Sequence, residues 1–216
     1  MAVPEVTTLW RGGPARCLGG GVRTKKVAFV GVKVYAVFLY VDAAAAAKEL
    51  GVRDRGGFFE GDDDYAAALA DGAFVKALRI DLVRDVDGAT FYGALEDALA
   101  PRLRLTGDMD SLGAFRDYLG GKKLAKGTAL CLLWTPDGAL EVAASTGDRA
   151  PASFAAPDAA DLRIESAGLA RALFEVYLGS APASPGARTA WAAGARALLA
   201  TETVKRDTRK GGGKGT

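Results

Sequence analysis

Residues 74–99 constrain the fold most strongly, because they have the pattern of a buried strand followed by a turn and a helix. From Leu78 to Leu82 every second residue is apolar, and Arg79 and Asp81 stand between these apolar positions. This period of two is typical of a strand that has one face against a core. The segment therefore predicts a sheet that is covered on one side.

A helix is predicted directly after this strand. Asp87 supplies turn chemistry, and either Asp87 or Thr90 can cap the first turn of a helix. Apolar residues then recur at helical spacing from Phe91 to Leu99. Pro101 is expected to end the helix, because proline lacks the N–H that a helix interior needs.

Two side chains of this unit form a candidate anion site. Arg79 leaves the strand and Tyr92 leaves the first turn of the helix, so the two meet if the helix folds back over the strand. A guanidinium fork, a hydroxyl and a helix N-terminus together suit a carboxylate. The alternative is structural: Arg79 pairs with nearby Asp81 or Asp85, and Tyr92 belongs to the core.

Composition excludes several classes of function. The 216 residues contain no histidine and carry a net charge of only +2, so neither a histidine base, histidine-ligated zinc nor a strong attraction to nucleic acid is expected. Cys17 and Cys131 form no Cys-x-x-Cys motif. The glycines before Thr24 miss the dinucleotide fingerprint. We therefore predict no metal, no cofactor and no nucleic-acid partner, and the apolar run Val27–Val41 is too short to span a membrane.

The order of predicted elements indicates an α+β fold. Strands, helices, strands and helices follow one another without regular alternation, which favours an antiparallel sheet with helices on one face. Residues 1–17 are predicted to be an irregular arm, 18–202 a single domain and 203–216 a basic, glycine-rich disordered tail. A ligand is expected between the sheet and the helices.

Four segments together resemble the chalcone isomerase family. They are LGGGVRTKKVAFVGVKVYAVFLYVD (18–42), LRIDLVRDVDGATFYGALEDALAPRL (78–103), LAKGTALCLLW (124–134) and ALFEVYLGSAPASPGAR (172–188). Their order and spacing match along nearly the whole of residues 18–200. The resemblance implies an open-faced β-sandwich, in which a large antiparallel sheet is covered by a layer of helices with a cleft between them.

The resemblance also implies which positions correspond to the enzymes of the family. Arg23 matches their arginine and Tyr92 their tyrosine, whereas Tyr35, Leu99 and Val176 stand where the enzymes carry a threonine, an asparagine and a Ser/Thr. Leu99 and Val176 offer no hydrogen bonds to a polar flavonoid. These changes are expected to make the pocket more apolar.

The pattern looks most like the plastid fatty-acid-binding branch of the family. In that branch an arginine and a tyrosine thirteen residues later hold the carboxylate, and Arg79 and Tyr92 have this spacing. The resemblance therefore implies a non-catalytic protein with a fatty acid as its ligand. Arg23 and Tyr35 are expected to border the site, with Arg23 either a second polar contact or a structural ion pair, and Leu99 and Val176 to line the pocket.

The residues are also compatible with two other functions. One is a weak or altered chalcone isomerase that uses Arg23 and Tyr92. The other is a non-catalytic helper of the flavonoid pathway that binds other enzymes or their product. The resemblance implies the chloroplast stroma, with the cytoplasm as the alternative, and it leaves the oligomeric state open with a monomer favoured.

Overall fold

A computed structural model describes residues 5–10, 13–27, 29–145 and 160–211. The strands are β1 Val6–Trp10, β2 Gly13–Val27, β3 Val30–Asp42, β4 Lys76–Leu82, β5 Val86–Asp87, β6 Lys123–Leu124, β7 Ala129–Trp134, β8 Leu140–Ser145 and β9 Leu162–Ile164. The helices are α1 Ala43–Arg55, α2 Asp62–Asp71, α3 Gly88–Thr106, α4 Met109–Gly120, α5 Ala167–Leu178 and α6 Pro185–Gly211. No helix of these described ranges is long and apolar enough to cross a membrane.

A seven-stranded antiparallel sheet organises the fold. Its strand order is β1-β2-β3-β4-β7-β8-β9, and β5 and β6 form a separate two-stranded sheet. The helices pack on one face of the large sheet, which we call the inner face, and the main core lies between them. The predicted α+β class and the predicted antiparallel sheet covered by helices are therefore confirmed.

The opposite, outer face of the large sheet carries a smaller apolar cluster. Its buried members are Ala15, Tyr40, Ala77, Cys131, Leu133 and Ala143. Leu78, Ile80 and Leu82 point to the inner face, where they join the main core. Because side chains alternate along a strand, Arg79 and Asp81 belong to the outer face.

Helix α3 begins as predicted but ends later. The carboxylate of Asp87 accepts a hydrogen bond from the N–H of Thr90 at 3.2 Å, so Asp87 is the cap. The prediction that Pro101 ends the helix is wrong, because α3 continues through it to Thr106. Beyond the proline Leu103 is still buried, and Gly107 ends the helix with a positive φ of 71°.

The structure also corrects the predicted ends of the domain. From Val6 onward the described residues of the predicted irregular arm lie in β1 and β2. These strands pair with each other, and an antiparallel neighbour satisfies their backbone groups. The predicted disordered tail continues α6 as far as Gly211. The predictions for the arm and the tail also cover residues 1–4, 11–12 and 212–216, which lie outside the described residues.

Helix α6 packs closely against β2. A Cβ added to Gly21 would lie 2.4 Å from the backbone nitrogen of Ala187, and one added to Gly194 would lie 2.0 Å from the carbonyl oxygen of Leu18. Trp191 of the same helix donates its indole N–H to the carbonyl oxygen of Gly19 at 2.9 Å. The glycine run of β2 therefore serves helix packing.

Gly194→Ala tests this contact. Alanine normally favours a helix, but here the added methyl group would press the helix off the strand, so we expect the free energy of unfolding to fall by about 2 kcal/mol. Gly186→Ala on the same helix is the control, since a Cβ there meets nothing within 4 Å. It should leave stability unchanged or raise it slightly. Denaturant unfolding of both variants measures the difference.

Lys76 is the one lysine among the described buried polar residues, and it is only 1% exposed. Its ammonium donates to the carbonyl oxygens of Leu69 at 2.7 Å and Ala70 at 2.9 Å, in the last turn of α2. It also lies 4.5 Å from the ring centre of Trp134. Burial is the largest influence on its pKa, which falls from 10.5 to about 8.

This lowered pKa predicts a stability that increases with pH. Between pH 8 and 10.5 the unfolded chain keeps the Lys76 proton that the folded chain has lost, so unfolding becomes harder as pH rises. We expect this group to add up to about 3 kcal/mol across that range. The increment should be absent in Lys76→Met and retained in the exposed-site control Lys48→Met, as measured by denaturant unfolding at several pH values.

Candidate functional site

Arg79 lies on the outer face of β4, away from the helices. Its Nε donates to Oδ1 of Asp81 at 2.8 Å, and the two side chains are 12% and 3% exposed. Burial by itself would lower the pKa of Arg79, but the hydrogen bond and charge of Asp81 outweigh it and the pKa is raised. The structural interpretation of Arg79, an ion pair with Asp81, is therefore confirmed.

Tyr92 lies on the other side of the sheet, in the core beneath α3. Its ring meets the edge of Phe115 with centroids 6.4 Å apart. Burial, followed by a hydrogen bond with Glu96, raises its pKa to about 12. Its surroundings are those of a core tyrosine whose hydroxyl reaches a neighbouring carboxylate on its own helix.

The structure therefore does not bring Arg79 and Tyr92 together, and the predicted carboxylate clamp is not formed. The physical reason is the alternation of side chains along β4. If Leu78, Ile80 and Leu82 face the helices, Arg79 must face away from them. This signal was already present in the sequence, since the same three leucine and isoleucine positions predicted the strand.

Arg23 and Tyr35 do come together. They are directly opposite each other on β2 and β3, and both face the helices. Arg23 donates to the carbonyl oxygen of Ala183 at 3.3 Å. Among the described residues no carboxylate lies within ion-pair distance of Arg23, so the expectation of a structural ion pair is not met. Within the described ranges, Arg23 is thus a partly buried cation without a partner carboxylate.

A cavity opens beside this pair, between the sheet and the first half of α3. Its volume is about 70 Å³. The residues that line it are Arg23, Lys25, Val34 and Tyr35 from the sheet, and Val86, Thr90, Phe91, Ala94 and Leu95 from β5 and α3. Two cations therefore meet a mostly apolar wall, an arrangement that suits a molecule with an anionic head and an apolar body.

A β-bulge brings Val34 into this wall. The register runs from Arg23 opposite Tyr35 to Thr24 opposite Lys33, so Val34 is an extra residue on β3. A bulge twists the strand and redirects its side chains. Val34 thereby joins its neighbour Tyr35 at the same cavity, although strict alternation would separate them. Sequence reasoning missed Val34, because a register shift has no clear sequence signal.

A second tyrosine supports Tyr35. The hydroxyls of Tyr35 and Tyr177 share a hydrogen bond of 2.9 Å, and both side chains are buried. Burial raises the pKa of both groups, while nearby Arg23 acts to lower them. Either hydroxyl can be the donor of this hydrogen bond. Sequence analysis did not identify Tyr177 as a partner of Tyr35.

Leu99 and Val176 are not at the cavity. Both are buried in the main core, on α3 and α5 respectively, and neither is among the residues that line the cavity. Their predicted role as pocket-lining residues is therefore not found in this arrangement. Leu99 lies a full helical turn beyond Leu95, which is the last residue of α3 at the cavity wall.

A larger groove of about 500 Å³ lies elsewhere, between α2, α3, α5 and the start of α6. Its three arginines are already neutralised by carboxylates that also line it. Arg102 pairs with Glu175, Arg171 with Asp71 and Glu175, and Arg188 with Asp63. This groove has no uncompensated charge for a ligand. The described residues also contain no group of carboxylates and cysteines that could hold a metal ion.

Comparison with known proteins identifies the fold. The structure resembles the crystal structure of a fatty-acid binding protein from Arabidopsis thaliana, with a TM-score of 0.70 and 20% sequence identity. The match covers 89% of this chain and 94% of the other. No protein-family model matches the sequence. The chain therefore has the chalcone isomerase-like fold that the four sequence segments predicted.

The placement of Arg79 predicts a loss of stability on its removal. In Arg79→Met the buried carboxylate of Asp81 loses its cation, and Oδ2 of Asp81 already has no hydrogen-bond partner among the described residues. We expect the free energy of unfolding to fall by about 3 kcal/mol. The double variant Arg79→Met/Asp81→Leu should recover most of this loss in denaturant unfolding. A double variant as unstable as the single one would contradict the ion-pair explanation.

Proposed function

We propose that the protein binds a medium- or long-chain fatty acid without transforming it. The carboxylate lies at Arg23 and Tyr35, and the acyl chain runs between the sheet and α3. The observation that carries this proposal is the guanidinium of Arg23, which has no carboxylate partner among the described residues and lines a mostly apolar cavity. Likeness to a fatty-acid binding protein of the same fold supports the ligand class.

The head-group contacts follow from the hydrogen bonds around Tyr35. Arg23 offers a planar fork of donors and a charge, which is the preferred partner of a carboxylate. In this proposal the Tyr177 hydroxyl donates its hydrogen bond to the Tyr35 oxygen, so the Tyr35 hydroxyl can donate to the ligand. Lys25, exposed at the cavity rim, adds a second positive charge.

The acyl chain requires more room than the structure holds. A volume of about 70 Å³ is well below the roughly 300–1,000 Å³ of typical ligand pockets. Binding therefore includes a movement of the first half of α3, where Phe91 and Leu95 close the cavity against Tyr35. Burial of each methylene group contributes about 0.8 kcal/mol, which offsets the cost of separating these apolar surfaces.

Binding suits this site better than cyclisation of a chalcone. An isomerase of this family would need Arg23 and Tyr92 at one substrate, but Tyr92 is in the core with Phe115 and is not at the cavity. Leu99 and Val176 bring no polar groups either. The chloroplast stroma remains the compartment that we propose, on the resemblance in sequence alone.

Calorimetric titration of delipidated protein with dodecanoate, and with its methyl ester as the uncharged control, tests the proposal. We expect saturable binding of the acid and much weaker binding of the ester. Arg23→Gln should weaken binding of the acid at least about tenfold and leave the ester unchanged, because only the charged contact is lost. If Arg23→Gln bound the acid as tightly as the wild type does, Arg23 would not be part of the site.

The double variant Arg79→Met/Asp81→Leu is the matched control, since it removes a guanidinium from the outer face. We expect its affinity for dodecanoate to equal that of the wild type. If this variant no longer bound dodecanoate while Arg23→Gln still did, the carboxylate would lie on the outer face of the sheet. The proposed site would then be wrong.

A further inference from the structure

The hairpin of β2 and β3 extends beyond the sheet. Within β3, only the segment Tyr35–Val41 pairs with β4. The five residues of β3 before Tyr35 therefore have β2 as their strand partner. Five residues of extended chain span roughly 16 Å. The cavity with Arg23 and Tyr35 lies at the base of this projection.

Phe29 stands at the tip of the hairpin, fully exposed. Strand β2 ends at Val27 and β3 begins at Val30, so the connection is two residues long. Phe29 has a φ of 112°, in a region that favours glycine and is strained for an aromatic residue. Neither turn geometry nor internal packing therefore accounts for a phenyl group at this position.

The projecting segment is strongly basic. Residues 22–34 contain Arg23, Lys25, Lys26 and Lys33 and no carboxylate. The side chains of Lys25 and Lys33 are exposed on the two strands behind Phe29. Cations grouped around a protruding aromatic side chain are the combination that binds an anionic lipid surface, because the ring enters the interface and the charges meet the head groups.

Another exposed aromatic residue has the opposite environment. Phe58, which is 70% exposed, lies in the connection between α1 and α2, close in sequence to Glu60 and Asp62–Asp64. In residues 53–64 five carboxylates outnumber two arginines, so an anionic membrane does not attract that region. A protein partner for the hairpin is less well supported, since one exposed ring offers much less apolar area than a stable protein interface needs.

We infer that the β2–β3 hairpin docks on the surface of anionic lipid bilayers, with Phe29 inserted among the lipids and Lys25 and Lys33 at the head groups. Docking brings the cavity mouth to within one hairpin length of the membrane. A fatty acid leaving the bilayer then meets Arg23 first. This last step rests on the proposed function, whereas the docking itself does not.

Co-sedimentation with lipid vesicles tests the docking. The 216-residue chain should bind vesicles of equal parts phosphatidylcholine and phosphatidylglycerol at least about tenfold more tightly than vesicles of phosphatidylcholine alone. Phe29→Ser and Lys33→Glu should each weaken binding to the anionic vesicles at least about fivefold. The matched controls Phe58→Ser and Lys48→Glu should bind as the wild type does.

Three results would overturn the inference. They are no preference for anionic vesicles, equal binding by the Phe29 and Lys33 variants and the controls, and self-association in sedimentation velocity that Phe29→Ser abolishes. Titration of Phe29→Ser with dodecanoate in solution separates the two proposals. We expect that variant to keep the affinity of the wild type. Vesicle binding without any dodecanoate binding would mean that docking stands and the proposed function fails.

Discussion

The burial of one face of the sheet against the helices is the constraint on which the other features depend. Strand geometry sends successive side chains to opposite faces, so the apolar residues that enter the main core determine where their polar neighbours lie. On β4 this places Arg79 and Asp81 on the outer face, where each is the other's partner. On β3 it places Tyr35 on the inner face beside Arg23. The one departure, the bulge at Val34, occurs at the cavity itself.

Close packing of α6 on β2 fixes the surroundings of that cavity. The glycines of β2 allow the helix to approach the strand, and Trp191 ties the two together through the carbonyl oxygen of Gly19. Trp191 also lies beside the ring of Tyr177, with centroids 6.5 Å apart. Because Tyr177 also forms a hydrogen bond with Tyr35, the packing of the helices helps to position the Tyr35 hydroxyl. The geometry of the head-group site is thus a consequence of how the helices are seated.

The site combines fixed and movable parts. Arg23 and Tyr35 belong to paired strands, and Tyr35 is held by a buried partner. The opposite wall is the first half of α3, whose contact with the sheet at Phe91 and Leu95 is apolar and non-directional. Separation of the apolar contact at Phe91 and Leu95 costs surface energy, and an acyl chain can replace the contact that is lost. A fixed polar head site under a movable apolar wall suits a lipid ligand.

The sequence by itself determined the fold class, the start of α3 and the likeness to a known fold, because these depend on local periodicity, caps and the order of segments. Asp87 caps α3 as predicted. By the same chemistry Ser166 caps α5, and Pro185 is the first residue of α6. The end of α3 was not determined, since tertiary burial of Leu103 carries the helix through Pro101. Only the tertiary structure decided which side chains meet. Arg79 and Tyr92 are close in sequence, but they lie on opposite sides of the sheet. The cation at the cavity is instead Arg23, which strand pairing places opposite Tyr35 beside a bulge.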